Sequence, residues 1–368
     1  MTGVEIGQRA KARLAAVLPD RTHREIAGDI AMTPDAFSRA LAGKRAFSSI
    51  ELARLADLIG TDIHWLITGE PDPHRLVIAA RHDYDFDSRS RDVPGRQNDE
   101  ALLRDVGLAY RQAYQGGAVA PSDLPGSAAE VRRTMGPGFV RQFADRLETR
   151  MGVDVVRLPA LSTSYCFSVA GRRVIVVAAT GNWFRENWSI AHELGHFVER
   201  HLDSHLSPVE LDAHEAAANA FAAELLLPAA QMRERNWEAL DAEGLARLVW
   251  ESGVSADALA RRLSSLGIEP TDLIARWAQQ PTQRLLRRHW RDAQAEHGDA
   301  ITQRMDDAAT RRFPLSLQRS HLTMIARGDL GKGTLAWMLG IVPDDLEVDA
   351  ATAPEDVDPD VLASALGL

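Results

Sequence analysis

Apolar residues in the first seventy positions recur at the three- and four-residue spacing of short helices. The pattern predicts five helices, over residues 4–18, 23–30, 34–42, 50–59 and 62–69. Thr33 and Pro34 mark the start of the third helix, because threonine caps helices and proline fits the first helical position. Ser49 is predicted to cap the fourth. Five short helices with a tight turn between the second and third form the plan of a helix-turn-helix bundle.

Residues 71–135 are predicted to be a linker with helices. Prolines at 71 and 73 open it, and residues 88–96 are polar and turn-rich. A short apolar run over residues 76–80 fits no single type of element. Helical periodicity returns over residues 100–115 and, more weakly, over 128–135.

The next segment, residues 136–238, mixes strand and helix patterns. An amphipathic helix is predicted over 139–151, a strand over 153–158, and a hairpin of strands 166–170 and 173–178. Two apolar helices follow, and Pro228 ends the second. Residues 239–368 are predicted to be a C-terminal helical domain. The fold class is therefore mainly α, with an N-terminal five-helix bundle and a small central α+β domain.

Composition narrows the class of protein. The chain has 368 residues, 45% hydrophobic and 26% charged, with a net charge of -10. Two or three globular domains are expected, without an extensive basic surface. One cysteine, Cys166, permits no internal disulfide and fits a reducing cytoplasm; its position in an apolar strand favours a packing role. With neither a signal peptide nor a long apolar run, we predict a cytoplasmic protein without a membrane segment.

Candidate chemistry centres on His192, Glu193 and His196. Histidines four residues apart lie on one face of a helix, where both imidazoles can reach one metal ion. Glu193 lies beside them, where its carboxylate can hold a water molecule. This is the H-E-x-x-H pattern of zinc hydrolases. Gly195, between the two ligands, weakens the helix, so another backbone or a substrate is expected to pass close by.

A third ligand is needed, and the helix after the motif offers three candidates. Glu215 is preferred, because nineteen residues from His196 leave one loop between two packed antiparallel helices. His214 is the next choice, and Glu224 is expected on the surface. Asn219, one turn after Glu215, is predicted to orient a ligand. The alternative for Glu215 is that it binds no metal, because a carboxylate in the first turn of a helix is also favoured by the helix dipole.

These residues resemble a known family. The run 183–196, followed by Glu215-x-x-Ala218-Asn219 and the segment to Pro228, is similar to the ImmA/IrrE metallopeptidases over roughly residues 138–235. The resemblance implies a zincin-like fold, zinc (Zn2+) held by His192, His196 and Glu215, and Glu193 as general base. Better-understood members of that family cleave repressor proteins.

The N-terminal bundle resembles the XRE (lambda-repressor-like) family. The resemblance rests on the small Ala27, the exit at residues 42–45 and the ending at 65–69. It implies that the third helix enters the major groove of DNA. Ser38 and Arg39 would then reach base edges, and Lys44 and Arg45 would contact phosphates. So small a footprint implies a homodimer. The alternative is a bundle that mediates only protein contacts, since residues 1–70 carry nine basic and nine acidic residues.

Two functional hypotheses follow. In the first, a DNA-bound regulator carries a zinc peptidase that cuts a repressor or another regulatory protein, and Glu193 transfers the proton. A further donor to the oxyanion is expected from among His201, His205, His214 and Tyr165. In the second, a transcription factor uses the zincin-like domain as a non-proteolytic sensor of a ligand or partner. The presence of all three ligands and the base favours the first.

Overall fold

The computed structural model describes residues 3–19, 21–69, 78–80, 83–85, 90–92, 96–115, 123–200, 208–290 and 299–348. The chain divides into two compact units, Met1–Arg75 and Leu76–Leu368, called unit 1 and unit 2 below. No helix among the described residues has the length and apolar character needed to cross a bilayer.

Unit 1 consists of five helices, as their periodicity predicts. They are α1 Gly3–Val17, α2 His23–Asp29, α3 Pro34–Leu41, α4 Ser49–Leu58 and α5 Ile63–Thr68. Thr33 caps α3 as expected. The cap of α4 is Ser48 rather than Ser49, because only Ser48 has a glutamate three residues on, Glu51, that completes a capping box.

The core of unit 1 is filled by aliphatic side chains around Phe37, which is fully buried. Helix α1 reaches α3 at Gly7, where an added Cβ atom would lie 2.4 Å from the carbonyl oxygen of Leu41. A larger residue at this position would therefore push the two helices apart.

A small mixed sheet forms the centre of unit 2. Its strands are β1 Ile78–Ala80, β4 Val153–Leu158, β5 Tyr165–Val169 and β6 Arg172–Ala178, in the order β1-β5-β6-β4. Strand β4 runs parallel to β6, and the other neighbours are antiparallel. Strands β2 Asp83–Asp85 and β3 Ser90–Asp92 form a separate ladder. The predicted strand is present as β4, and the predicted hairpin is formed by β5 and β6. The apolar run over residues 76–80, for which the sequence predicts no type of element, includes β1.

Helices cover this sheet and complete unit 2. They are α6 Arg96–Ala113, α7 Ala128–Met135, α8 Phe143–Met151, α9 Trp183–Val198, α10 Pro208–Leu226, α11 Ala229–Glu234, α12 Ala242–Ser252, α13 Ala256–Ser265, α14 Asp272–Ala278, α15 Thr282–His289, α16 Ala300–Ala309, α17 Leu315–Ala326 and α18 Gly333–Leu339. Short 3-10 helices span Phe139–Gln142 and Pro343–Asp345. The prediction of a mainly helical chain with a small α+β part is confirmed.

Alternate residues of the strands point into two different cores. Val155, Cys166 and Ile175 pack with α7 to α16. Val156 and Phe167 pack with α6, α17 and α18 on the opposite face. With both faces covered, the strands are apolar nearly throughout. The helices predicted as a C-terminal domain, 239–368, share both cores, so packing crosses the predicted boundaries at 135 and 238.

Candidate metal centre

Helices α9 and α10 carry the centre and pack closely along their lengths. They approach closely at Gly195, where an added Cβ atom would lie 3.1 Å from Cα of Ala218 and 3.2 Å from its carbonyl oxygen. Another backbone does pass this glycine, as its place between the two histidines predicts. The absence of a side chain at position 195 thus sets the distance between the two ligand-bearing helices.

The first half of α9 is fixed by buried polar contacts. Arg157 on β4 donates to the carboxylate of Glu186 at 2.7 Å, and its Nη1 donates to the backbone carbonyls of Asp307 and Thr310. Asn187 donates to the carbonyl of Gly253 at 3.0 Å. These bonds tie α9 to the sheet and to two helical segments from the C-terminal third. The helix that bears the metal motif is therefore held from several sides.

Three ligand atoms converge between the two helices. Nε2 of His192 lies 3.2 Å from Nε2 of His196 and 3.2 Å from Oε2 of Glu215. Nε2 of His196 lies 3.5 Å from Oε1 of Glu215. All three side chains are buried, exposed by 0%, 2% and 4% respectively. Within the described part of the chain, no other group of histidine, cysteine or acidic residues has this convergence.

The spacing fits a zinc ion. Two donor atoms at about 2.05 Å from a tetrahedral zinc ion lie about 3.3 Å apart. The separation of 3.2 Å between the two imidazole nitrogens is close to this value, and so are the distances of 3.2 and 3.5 Å from these nitrogens to the two oxygens of the Glu215 carboxylate. Three protein ligands leave a fourth position for water or substrate, as in catalytic zinc sites.

Asn219, one turn after Glu215, contacts the first candidate ligand. Its Oδ1 lies 3.1 Å from Nδ1 of His192. The amide oxygen can only accept, so Nδ1 carries the proton and donates it. This leaves the lone pair of Nε2 directed at the other ligands. Such contacts fix the tautomer and ring orientation of metal-binding histidines.

Glu193 is fully buried beside the ligands and is held by one oxygen only. Ser164, just before β5, donates from Oγ to Oε1 of Glu193 at 2.7 Å. Oε2 of Glu193 is buried without a hydrogen-bond partner. Cys166 lies on the same side: burial first, and then the Glu193 carboxylate, raise the pKa of its thiol. Glu193 therefore presents one positioned, unsatisfied oxygen in a water-poor environment.

The loop that carries Ser164 is anchored by Asp99 on α6. Asp99 accepts hydrogen bonds from the backbone N–H and the hydroxyl of Ser162, and from the hydroxyl of Tyr165 at 2.6 Å. Tyr165 packs in the core on the opposite side of the sheet from Cys166. The structure therefore removes Tyr165 from the candidates for an oxyanion donor.

Charge in the centre is concentrated on Glu215. Burial alone would raise the pKa of this carboxyl, but hydrogen bonds and charge from His192 and His196 lower it to about 2. Burial opposes the charged form of His196, yet the Glu215 and Glu193 carboxylates raise the pKa of this imidazole. A buried carboxylate facing two imidazoles is a donor set that suits zinc.

The remaining candidates of unit 2 lie elsewhere. His214 is half-buried and does not belong to the cluster of ligand atoms. The carboxylate of Glu224 is 44% exposed, pairs with Arg262 and accepts from the backbone N–H of Ala229. Glu224 thus fastens the end of α10 to its neighbours. His201 and His205 lie outside the described residues.

The predicted DNA-contacting residues lie on or just after α3 of unit 1. Ser38, Arg39 and Lys44 are exposed. Arg45 is half-buried and forms two hydrogen bonds with the Glu51 carboxylate, at 2.8 and 3.0 Å. Three of the four side chains are thus accessible, and the fourth is held within the bundle.

Several residues of the centre are not predicted by any motif. Ser164 and Asp99 are polar residues in segments without regular spacing, and each acts on a residue far along the chain. Arg157 carries a weak signal, since a charged residue inside an otherwise apolar strand needs a buried partner.

Comparison with known proteins adds one match. No curated protein and no solved structure matches the chain significantly. The family model of the IrrE N-terminal-like domain, Peptidase_M78, matches residues 148–264, a segment that includes His192, Glu193, His196 and Glu215. This part of the chain is thus similar to a domain family of the metallopeptidase type.

Proposed function

We propose that unit 2 is a zinc-dependent metallo-endopeptidase that cleaves a regulatory protein such as a repressor. The observation that carries the proposal is the convergence of His192, His196 and Glu215 beside a buried Glu193. The match to a metallopeptidase-type family over the same residues supports it. The substrate class follows from the resemblance to ImmA/IrrE proteins.

The residues divide the chemistry among them. Zinc bound by the three ligands would polarise the scissile carbonyl and make water acidic. Glu193 accepts the proton of the attacking water on its unpartnered Oε2 and returns it to the leaving amine. Ser164 is a positioning residue, because its hydrogen bond fixes Oε1 of Glu193 and leaves Oε2 able to accept a proton. Asn219 holds His192 in the tautomer that binds the metal.

One comparison tests the peptidase. Wild type and Glu193→Gln are purified, their zinc is measured by mass spectrometry, and cleavage of a co-encoded repressor is followed. Retained zinc with at least a thousandfold slower cleavage supports the proposal. Glu199→Gln, at the exposed C-terminal end of the same helix, is the matched control and should cleave as wild type does. Equal cleavage by Glu193→Gln contradicts the assignment of the base.

A second candidate is a non-proteolytic sensor, which the burial of all three ligands favours. Such a protein would hold zinc for structure and respond to a ligand or partner. Zinc in both proteins and cleavage by neither, against every co-encoded repressor, would support it.

For unit 1 we propose DNA binding through α3, with the chain acting in the cytoplasm as a homodimer. Exposed Arg39 and Lys44 lie at the end of this helix and just beyond it. Binding to operator fragments is measured by fluorescence anisotropy as a function of salt. Lys44→Ala should lower the slope of log K against log salt by about one, as loss of one phosphate contact does. An unchanged slope for both Arg39→Ala and Lys44→Ala would favour a bundle for protein contacts.

A further inference from the structure

A second cavity lies beside the first half of α9. It has a volume of about 310 Å³, is partly open to solvent, and is lined by the 3-10 helix Phe139–Gln142, the start of α8, β4, α9 and the end of α16 with the residues that follow it. Trp183, Glu186 and Asn187 of α9 line it, but none of the three metal ligands does. It is thus separate from the centre described above.

The cavity carries an excess of positive charge, although the chain as a whole has a net charge of -10. Five arginines and three carboxylates line it. Two of these carboxylates are already paired, Glu186 with Arg157 and Asp145 with Arg312. The remaining charged residues are three arginines and one acid: Arg141, Arg304, Arg311 and Asp307.

Arg304 is the most unusual of these side chains. Its guanidinium carbon lies 4.9 Å from the ring centre of Trp183 and 5.5 Å from that of Trp250. One N–H donates to the backbone carbonyl of Arg141 at 2.8 Å. Burial first, and then the charge of Arg141, lower the pKa of Arg304. The charge of Asp307 acts in the opposite direction on this pKa, but among the described residues no carboxylate forms an ion pair with Arg304. Arg304 is thus a partly buried cation without a paired carboxylate, next to a second arginine, Arg141.

Chemistry and size define the ligand. A dianion between two guanidinium groups would compensate both charges, and the planar fork of arginine matches phosphate oxygens. The volume is at the lower end of the range for small-molecule sites. We propose that this cavity binds a phosphate-bearing small molecule, with the phosphate between Arg141 and Arg304.

Such a ligand would contact the metal-bearing helix directly. Glu186 and Asn187 precede His192 by six and five residues on the same helix. Binding is therefore expected to rigidify the first two turns of α9. The cavity would give unit 2 a way to respond to a metabolite, whether or not it cleaves protein.

Binding is tested on the full chain by isothermal titration calorimetry. The probes are inorganic phosphate and adenosine monophosphate, at constant ionic strength adjusted with potassium chloride. The variants are Arg304→Gln and Arg141→Gln. The control is Arg261→Gln, which removes an exposed arginine of α13 that does not line the cavity. Hydrogen exchange of α9 amides, with and without the probe, provides a second readout.

Saturable binding that weakens about tenfold or more in both variants, but not in the control, is the expected result. Tighter binding of the nucleotide identifies a phosphate ester as the ligand, and equal binding identifies free phosphate. Because Arg141 is exposed, its variant should fold even if Arg304→Gln does not. Failure of both probes to bind, or full binding by Arg141→Gln, would overturn the proposal.

Discussion

The close approach of α9 and α10 at Gly195 makes a quantitative test of how the centre is built. In Gly195→Ala the new methyl group would meet Cα and the carbonyl oxygen of Ala218 at 3.1 and 3.2 Å. Ordinary contacts begin near 3.4 Å, so the neighbour must move by a few tenths of an ångström. Both atoms belong to the backbone of α10 and cannot rotate away as a side chain could. The helices themselves must therefore separate.

Two effects oppose each other in the stability of this variant. Replacing glycine by alanine inside a helix stabilises by about 1 kcal/mol. Overpacking a close contact costs about 1–3 kcal/mol. The free energy of unfolding of the zinc-free protein should therefore fall by about 0–2 kcal/mol. Gly28→Ala is the control, because its added methyl group has no neighbour within 4 Å and only the propensity gain remains.

Metal binding should be affected more specifically than stability. Ligand distances in metal sites are held within about 0.2 Å, so a shift of α9 against α10 strains the zinc geometry. We expect zinc affinity to fall at least about fivefold, or about 1 kcal/mol. Unfolding in urea measures the free energy of unfolding, and competition with a chelator measures the zinc affinity. If Gly195→Ala is stabilised as much as Gly28→Ala and binds zinc as tightly as wild type, the reasoning is refuted.

Three further predictions concern single contacts. Asn219→Ala should weaken zinc binding about 10- to 100-fold with little change in folding, whereas an unchanged chelator titration would contradict its orienting role. Arg157→Met should lower the free energy of unfolding, measured in urea, by about 3–5 kcal/mol because it leaves Glu186 buried and unpaired. Additional replacement of Glu186 by Leu should recover part of this loss. The hydrogen bonds from Arg45 lower the pKa of Glu51 below its ordinary 4.5. The pair therefore stabilises unit 1 fully above pH 4.5, and this stabilisation is lost as the pH falls through the lowered pKa. Thermal unfolding between pH 3 and 6 should show this loss in wild type, and Glu51→Gln should not show this component.

The sequence predicts which side chains converge at the candidate metal centre where helical periodicity alone determines the geometry. His192 and His196 share a helix face whatever surrounds them, and Glu215 follows from two packed antiparallel helices. Ser164 is different, because its contact with Glu193 joins a loop to a helix twenty-nine residues later. Neither periodicity nor composition encodes such a distance.

The division of the chain shows the same limit. Helical periodicity predicts a separate helical domain after residue 238, yet those helices fill the same two cores as the sheet. Helical periodicity shows that a face is buried but not against which partner. Arg157 illustrates this point, since its partners are Glu186 and carbonyls about 150 residues further along the chain.

The short strand β1 matters for any attempt to isolate unit 2. It pairs with Tyr165, Cys166 and Phe167 along the outer side of β5, directly after unit 1 in the chain. A fragment that starts after residue 92 would lack this strand and expose unpaired backbone groups, a template for self-association. A fragment that starts at residue 76 keeps the strand and is expected to stay monodisperse at higher concentration.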